Sequence, residues 1–351
     1  MRAATLLLLP LLAAAMATPA LAQQPAFLPY LNAPADGAPI LRPPTLSMSI
    51  NGGPARRAIM DTGSTGVVVS ASAIPGFDQL TPLGPGELTY TSSGRIMRGV
   101  NVMVPVTVTG ADGTSVTTQP IPVLAVTRID CLRNARNCRP SDAPRRVSML
   151  GIGFARAKDR QPGAGPARNP FLNVTGMGQA GTGTADFKRG YVVTRRGVQV
   201  GLAQGDGAAF SKVKLGSDAA TGDWQPIPAC LSLNARTPVA CGTMLLDTGV
   251  SVMYLTLPPA QTDGLAVPGL RGGRVVADGA SLAIAPGEGQ PAPAYGFTVG
   301  DRGNPVTPAR VILVGRGDRP AFVNTTVRAL NAFDYLFDAD AGEAGFRAVG
   351  R

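Results

Sequence analysis

Two short stretches constrain this chain more than anything else in it. "AIMDTGSTGVVVS" (Ala58–Ser70) and "TMLLDTGVSVMYLTL" (Thr243–Leu257) each set one aspartate in an apolar run, followed at once by Thr and Gly. Asp is a poor strand residue and is costly to bury without partners. The apolar residues before each Asp predict a strand ending there, and those after it predict a strand leaving. A lone Asp-x-Gly describes an ordinary turn. Two copies, one per half of the chain, describe an internal repeat at domain scale. The glycines, Gly63 and Gly249, are expected to allow a sharp turn that brings backbone N–H groups to the carboxylate.

If the halves are related by a two-fold axis, Asp61 and Asp247 meet on it. Two carboxyls about 3 Å apart cannot both ionise, so they share one proton. The protonated partner can polarise a carbonyl while the charged one takes a proton from a water between them. That water can attack an amide without a covalent intermediate. Thr62 and Thr248, each beside its Asp, are placed to hydrogen-bond across the axis and hold the loops together.

The rest of the composition narrows the alternatives. With no histidine in 351 residues, Ser–His and Cys–His nucleophiles, HExxH zinc sites and imidazole acid–base chemistry are excluded. "GMGQAG" (Gly176–Gly181) matches a dinucleotide pattern but precedes "TGTADF" rather than a helix, and reads as a loop. No cofactor or metal is expected. The net charge of +10 is nearly all arginine, with Lys158, Lys188, Lys212 and Lys214 the only lysines. It is scattered and not interleaved with aromatics, so a basic surface is expected and nucleic acid is not. The 44 Gly, 32 Pro and 15% charged residues indicate many turns and short strands, a mainly β chain.

The first 22 residues read as an export signal: Arg2, the apolar run "AATLLLLPLLAAAMA", then Ala20-Leu21-Ala22 before Gln23. No Cys follows, so a lipid anchor at that point is not expected, nor is a membrane span. The expected location is the periplasm or outside the cell, where disulfides form. Proximity in sequence pairs Cys131 with Cys138 and Cys230 with Cys241. Residues 23–205 are expected to form an N-terminal lobe and 206–351 a C-terminal lobe, in a monomer. Residues 23–45 read as an extended arm, and "YVVTRRGVQVGL" (Tyr191–Leu202) as a hairpin of a sheet bridging the lobes.

These residues resemble the pepsin-like aspartic proteases, over most of the chain after the signal. "IMDTGSTG" and "LLDTGVSV" are similar to the two catalytic motifs, which implies a bilobal β fold and makes Asp61 and Asp247 the catalytic pair. Thr62, Gly63, Ser64, Thr248 and Gly249 then support it. "LTYTSSGRIMRGVNVMVPVTV" (Leu88–Val108) resembles the family's flap, with Tyr90 and Thr91 facing substrate. "VSMLGIGFA" (Val147–Ala155) resembles the segment that threads behind the first Asp loop. "FDYLFDADAGEAGFRAV" (Phe333–Val349) resembles the last hairpin. The function implied is an exported endopeptidase acting on peptides or unfolded proteins. The alternative is a weak or silent relative that binds a peptide or envelope partner.

The departures carry expectations of their own. Val250 stands where the family has Ser or Thr, which removes a hydrogen bond to Asp247 worth about 1.5–3 kcal/mol and favours Asp247 as proton holder. Val68 stands where a Trp holds the flap tyrosine, so Tyr90 is expected to be less firmly placed. No Gly occurs near Thr326, which puts the packing behind the Asp247 loop in question. Only 38 residues (61 − 23) separate the export site from Asp61, too few for a long propeptide. Tyr90, Ile96, Met97 and Tyr254 are expected to line the cleft.

Overall fold

Short Val, Ile, Leu and Thr runs become strands here, and Gly, Pro and Asp end them. The structure is a computed structural model that describes residues 25–133, 135, 138–159, 161–177, 187–269, 273–287, 295–315 and 319–349. The export signal and most of "GMGQAG" lie outside the described residues.

The chain is mainly β, and its two halves build the same sheet twice. The first nine-stranded sheet runs, in spatial order, Pro82–Tyr90, Arg95–Val104, Ile121–Cys131, Thr65–Ser70, Ser148–Ile152, Arg56–Asp61, Thr45–Ile50, Val106–Thr109 and Ser115–Thr117. The second runs Ala266–Pro268, Arg274–Val276, Val311–Leu313, Met253–Thr256, Ala321–Asn324, Ala240–Leu245, Ile227–Leu233, Ser281–Pro286 and Tyr295–Thr298. From first to last, neighbours pair antiparallel twice, then parallel, antiparallel, parallel, and antiparallel three times, in both sheets. In each, the strand entering the Asp loop and the strand leaving it are separated by a threading strand.

A six-stranded sheet joins the halves. Its order is Ala26–Pro29, Gly197–Leu202, Lys188–Val193, Phe333–Asp338, Glu343–Ala348 and Ser211–Lys214. The two halves of the sequence meet where Tyr191 pairs with Phe337. Around that seam Phe154 stacks on Phe337 at 4.3 Å, and the buried Tyr191 hydroxyl donates to Ile152 O at 2.6 Å. Within the expected extended arm at 23–45, Ala26–Pro29 is an edge strand of this sheet, held where Leu28 is fully buried.

Two disulfides lie in the described structure, Cys131–Cys138 and Cys230–Cys241. The second ties directly opposed residues of two antiparallel strands. No helix among the described residues is long and apolar enough to cross a membrane.

Candidate active site

The strand Arg56–Asp61 delivers Asp61, and Ala240–Leu245 stops two residues before Asp247. Both carboxyls are buried, 5% and 6% exposed, and each lies against the glycine of the opposite loop. Each is also held by its own loop: Gly63 N donates to Asp61 Oδ1 at 2.7 Å, and Gly249 N to Asp247 Oδ1 at 2.9 Å. Neither glycine adopts the left-handed backbone, so the turn itself does not demand them. The opposing carboxyl does. A Cβ on Gly63 would overlap the Asp247 carboxyl, and one on Gly249 would lie 2.5 Å from Asp61 Oδ1.

Thr62 and Thr248 lock the loops reciprocally. Thr62 N donates to Thr248 Oγ1 at 3.1 Å and Thr248 N to Thr62 Oγ1 at 2.9 Å. Each hydroxyl then donates into the other lobe, Thr62 to Leu246 O at 2.6 Å and Thr248 to Met60 O at 2.8 Å. All of these atoms are buried, where a lost partner costs about 1–3 kcal/mol. Gln161, which the motifs did not single out, braces the first loop: its Oε1 accepts from Thr65 N at 3.1 Å and its Nε2 donates to Gly63 O at 3.2 Å.

The outer oxygens are supplied differently. Ser64 Oγ donates to Asp61 Oδ2 at 2.6 Å. Val250 cannot do this for Asp247, but the expected loss of a hydrogen bond does not occur. Asn324 Nδ2, at the end of the threading strand, donates to Asp247 Oδ2 at 2.6 Å. The packing question at Thr326 has a related answer. Strand register makes Thr326 the counterpart of Gly151: Met149 pairs with Ile59 and Val68 as Asn324 pairs with Leu245 and Tyr254. A Cβ on Gly151 would lie 2.8 Å from both Gly66 O and Ser64 Oγ. The second lobe has no hydroxyl at Val250 and takes a fully buried Thr326 there. The Thr326 hydroxyl caps the short helix Val327–Asn331 by accepting from Arg328 N.

Asp247 has its pKa raised to about 8. Burial is the main cause, then the Asp61 charge and the hydrogen bond with Asp61; Asn324 and Gly249 N pull the other way. The direction of the shift favours a proton on Asp247.

Above the pair stands the hairpin Pro82–Tyr90/Arg95–Val104, longer at its start than the Leu88–Val108 segment expected, with Val106–Thr109 belonging to a different pairing. A cleft of about 790 Å³ lies beneath it, lined among others by Tyr90, Thr91, Met97, Tyr254 and both aspartates. Ile96 is not among the lining residues. Side chains alternate along a strand, and Arg95 and Met97 take the cleft face. The Tyr90 hydroxyl is buried, makes no hydrogen bond of normal geometry among the described residues, and has Ser64 as its polar neighbour. Burial and the Asp61 charge raise its pKa, and Ser64 pulls it the other way. Val68 does not replace the missing anchor; it packs with Leu88, Met97 and Leu124 under the hairpin.

Two topologically equivalent lobes, a bridging sheet and a carboxyl pair at their junction define the pepsin-like bilobal fold. The comparisons agree at that level. Residues 39–178 match the family described as PE-PGRS C-terminal aspartyl peptidase-like domain, a span that holds Asp61, the hairpin and the first threading strand. Among solved structures, the aspartic proteinase from Irpex lacteus superposes with a TM-score of 0.55 at 13% identity, covering 93% of this chain and 98% of that one. No curated protein sequence matches the chain.

Proposed function

We propose that the chain is an exported aspartic-type endopeptidase that hydrolyses extended peptides. The observation that carries this reading is the buried Asp61–Asp247 pair, each carboxyl against the other's loop, at the floor of an open cleft. Asp247 holds the proton and donates it to the oxygen of the scissile carbonyl. Asp61 takes a proton from a water lying between the carboxyls, and the water oxygen attacks the carbonyl carbon. The tetrahedral diol collapses as the amine leaves with the proton Asp61 took, and Asp247 recovers its own from the diol. General acid–base work of this kind contributes about 10²–10⁴-fold. A carboxyl pair buried for no use would cost the fold stability, which favours a working enzyme. Export is supported by the leader-like first 22 residues and the two disulfides.

A second reading, a weak or silent peptide binder, is favoured by the unanchored Tyr90 hydroxyl. Cleavage of a denatured protein from pH 3 to pH 7, with Asp61→Asn and pepstatin as controls, separates the two. Turnover lost in both controls supports the peptidase. Pepstatin binding without turnover supports the binder, and unchanged turnover in Asp61→Asn removes the site from either role.

A further inference from the structure

The cleft carries a charge pattern that the carboxyl chemistry does not use. Three acidic side chains line it besides numerous neutral ones: Asp61, Asp247 and Asp159. The first two lie against each other's loops at the floor, and Asp159 is ion-paired with the buried Arg156. Against them stand Arg95, Arg146, Lys158 and Arg319, all exposed at the cleft. Lys158 lies 3.4 Å from Asp218. The three arginines have no ion pair among the described residues. They come from separate elements: Arg95 from the hairpin over the pair, Arg146 from the segment before the first threading strand, and Arg319 from the segment before the second. The positive charge therefore lies on both lobes.

We propose that these arginines select acidic peptide segments, so that the protein takes substrates whose Asp or Glu residues flank an apolar stretch seated at the carboxyl pair. The inference rests on the cleft being the peptide site. Clefts lined by one sign of charge concentrate the opposite sign. Guanidinium groups suit carboxylates in particular, because they present two parallel N–H donors. The apolar centre, Met97, Tyr254 and Phe322 among its lining residues, leaves the flanks as the place where charge discriminates.

The test uses two fluorescent peptides with one apolar core, flanked either by Asp and Glu or by Lys. Binding to the Asp61→Asn chain is measured at pH 6, where the acidic flanks are charged, and cleavage by the wild-type chain is measured in parallel. The acidic peptide should bind about tenfold more tightly at low salt, with the ratio collapsing as salt approaches about 1 M. Arg95→Glu/Arg146→Glu/Arg319→Glu should reverse the preference; Gln replacements, which should abolish it, serve if the reversals do not fold. A matched control, Arg274→Glu/Arg302→Glu/Arg310→Glu, changes net charge equally at exposed arginines that do not line the cleft, and should retain the preference. Equal binding of the two peptides, or equal reversal by the control, overturns the proposal. Selective binding without cleavage would instead leave it standing and remove the peptidase reading.

Discussion

The two lobes share a strand order and a pairing pattern, yet they treat their aspartates differently. In the first, the outer carboxylate oxygen is served from within the loop, by Ser64 three residues on. In the second it is served from behind, by Asn324, 77 residues on. Both bonds measure 2.6 Å. The first lobe also extends its outermost hairpin to nine and ten residues, while the equivalent strands of the second have three each. A repeated fold thus conserves the geometry of the pair and leaves free which residue provides it. The asymmetry also decides which lobe closes over the cleft.

The largest effect expected is on the pair itself. Asp61→Asn and Asp247→Asn should each cost roughly 10²–10⁴-fold in kcat, measured on a denatured protein. If one lobe alone were catalytic, only one of the two would do so. Next comes the close approach. Gly63→Ala should lower stability by about 1–3 kcal/mol and reduce turnover at least as severely as a loop change elsewhere, because the added methyl falls on the opposing carboxyl. Denaturant unfolding and turnover together check this; an unchanged chain would mean the lobes do not meet as described.

The threonine lock is predicted to be shared equally. Thr62→Val and Thr248→Val should each destabilise by about 1–3 kcal/mol, and the double variant by less than the sum, because both remove one network. A smaller effect sharpens the contrast between lobes. Asn324→Leu removes a bond that favours the ionised form of Asp247, so the alkaline limb of the pH–rate profile should move to higher pH. Val250→Thr should move it much less, since that oxygen already has its donor. The opposite ranking would show that the loop, not the threading strand, governs Asp247.

Stability should show the same group. Folded Asp247 binds its proton more tightly than the unfolded chain does. Its contribution is therefore best below the ordinary carboxylate value of 3.8 and falls as pH rises toward about 8. Asp247→Asn should gain stability over wild type across that window and lose the gain at lower pH, as followed by thermal melting.

Much of this was legible before any coordinates. An Asp in an apolar run is a conflict that one turn explains poorly and a repeated site explains well, and the reciprocal Thr62–Thr248 contacts follow from the symmetry that repetition implies. Asn324 was not legible, because nothing near Asp247 in sequence points to it; the missing hydroxyl at Val250 is the only signal, and it says that a donor is absent without saying what replaces it. Sequence points Gly63 to a sharp turn, whereas the constraint comes from a carboxyl 184 positions away (247 − 63). Hydrophobicity points Ile96 into the cleft, but the alternation along the strand gives that face to Arg95 and Met97.

The most direct test of the shared proton is carbon NMR of the chain with labelled aspartate carboxyls, titrated from pH 3 to pH 9. One resonance, identified by its loss in Asp247→Asn, should remain protonated far above the ordinary carboxylate range and titrate lower in Asp61→Asn. If every aspartate in the folded chain has ionised by about pH 5, no proton is held between the lobes and the account fails.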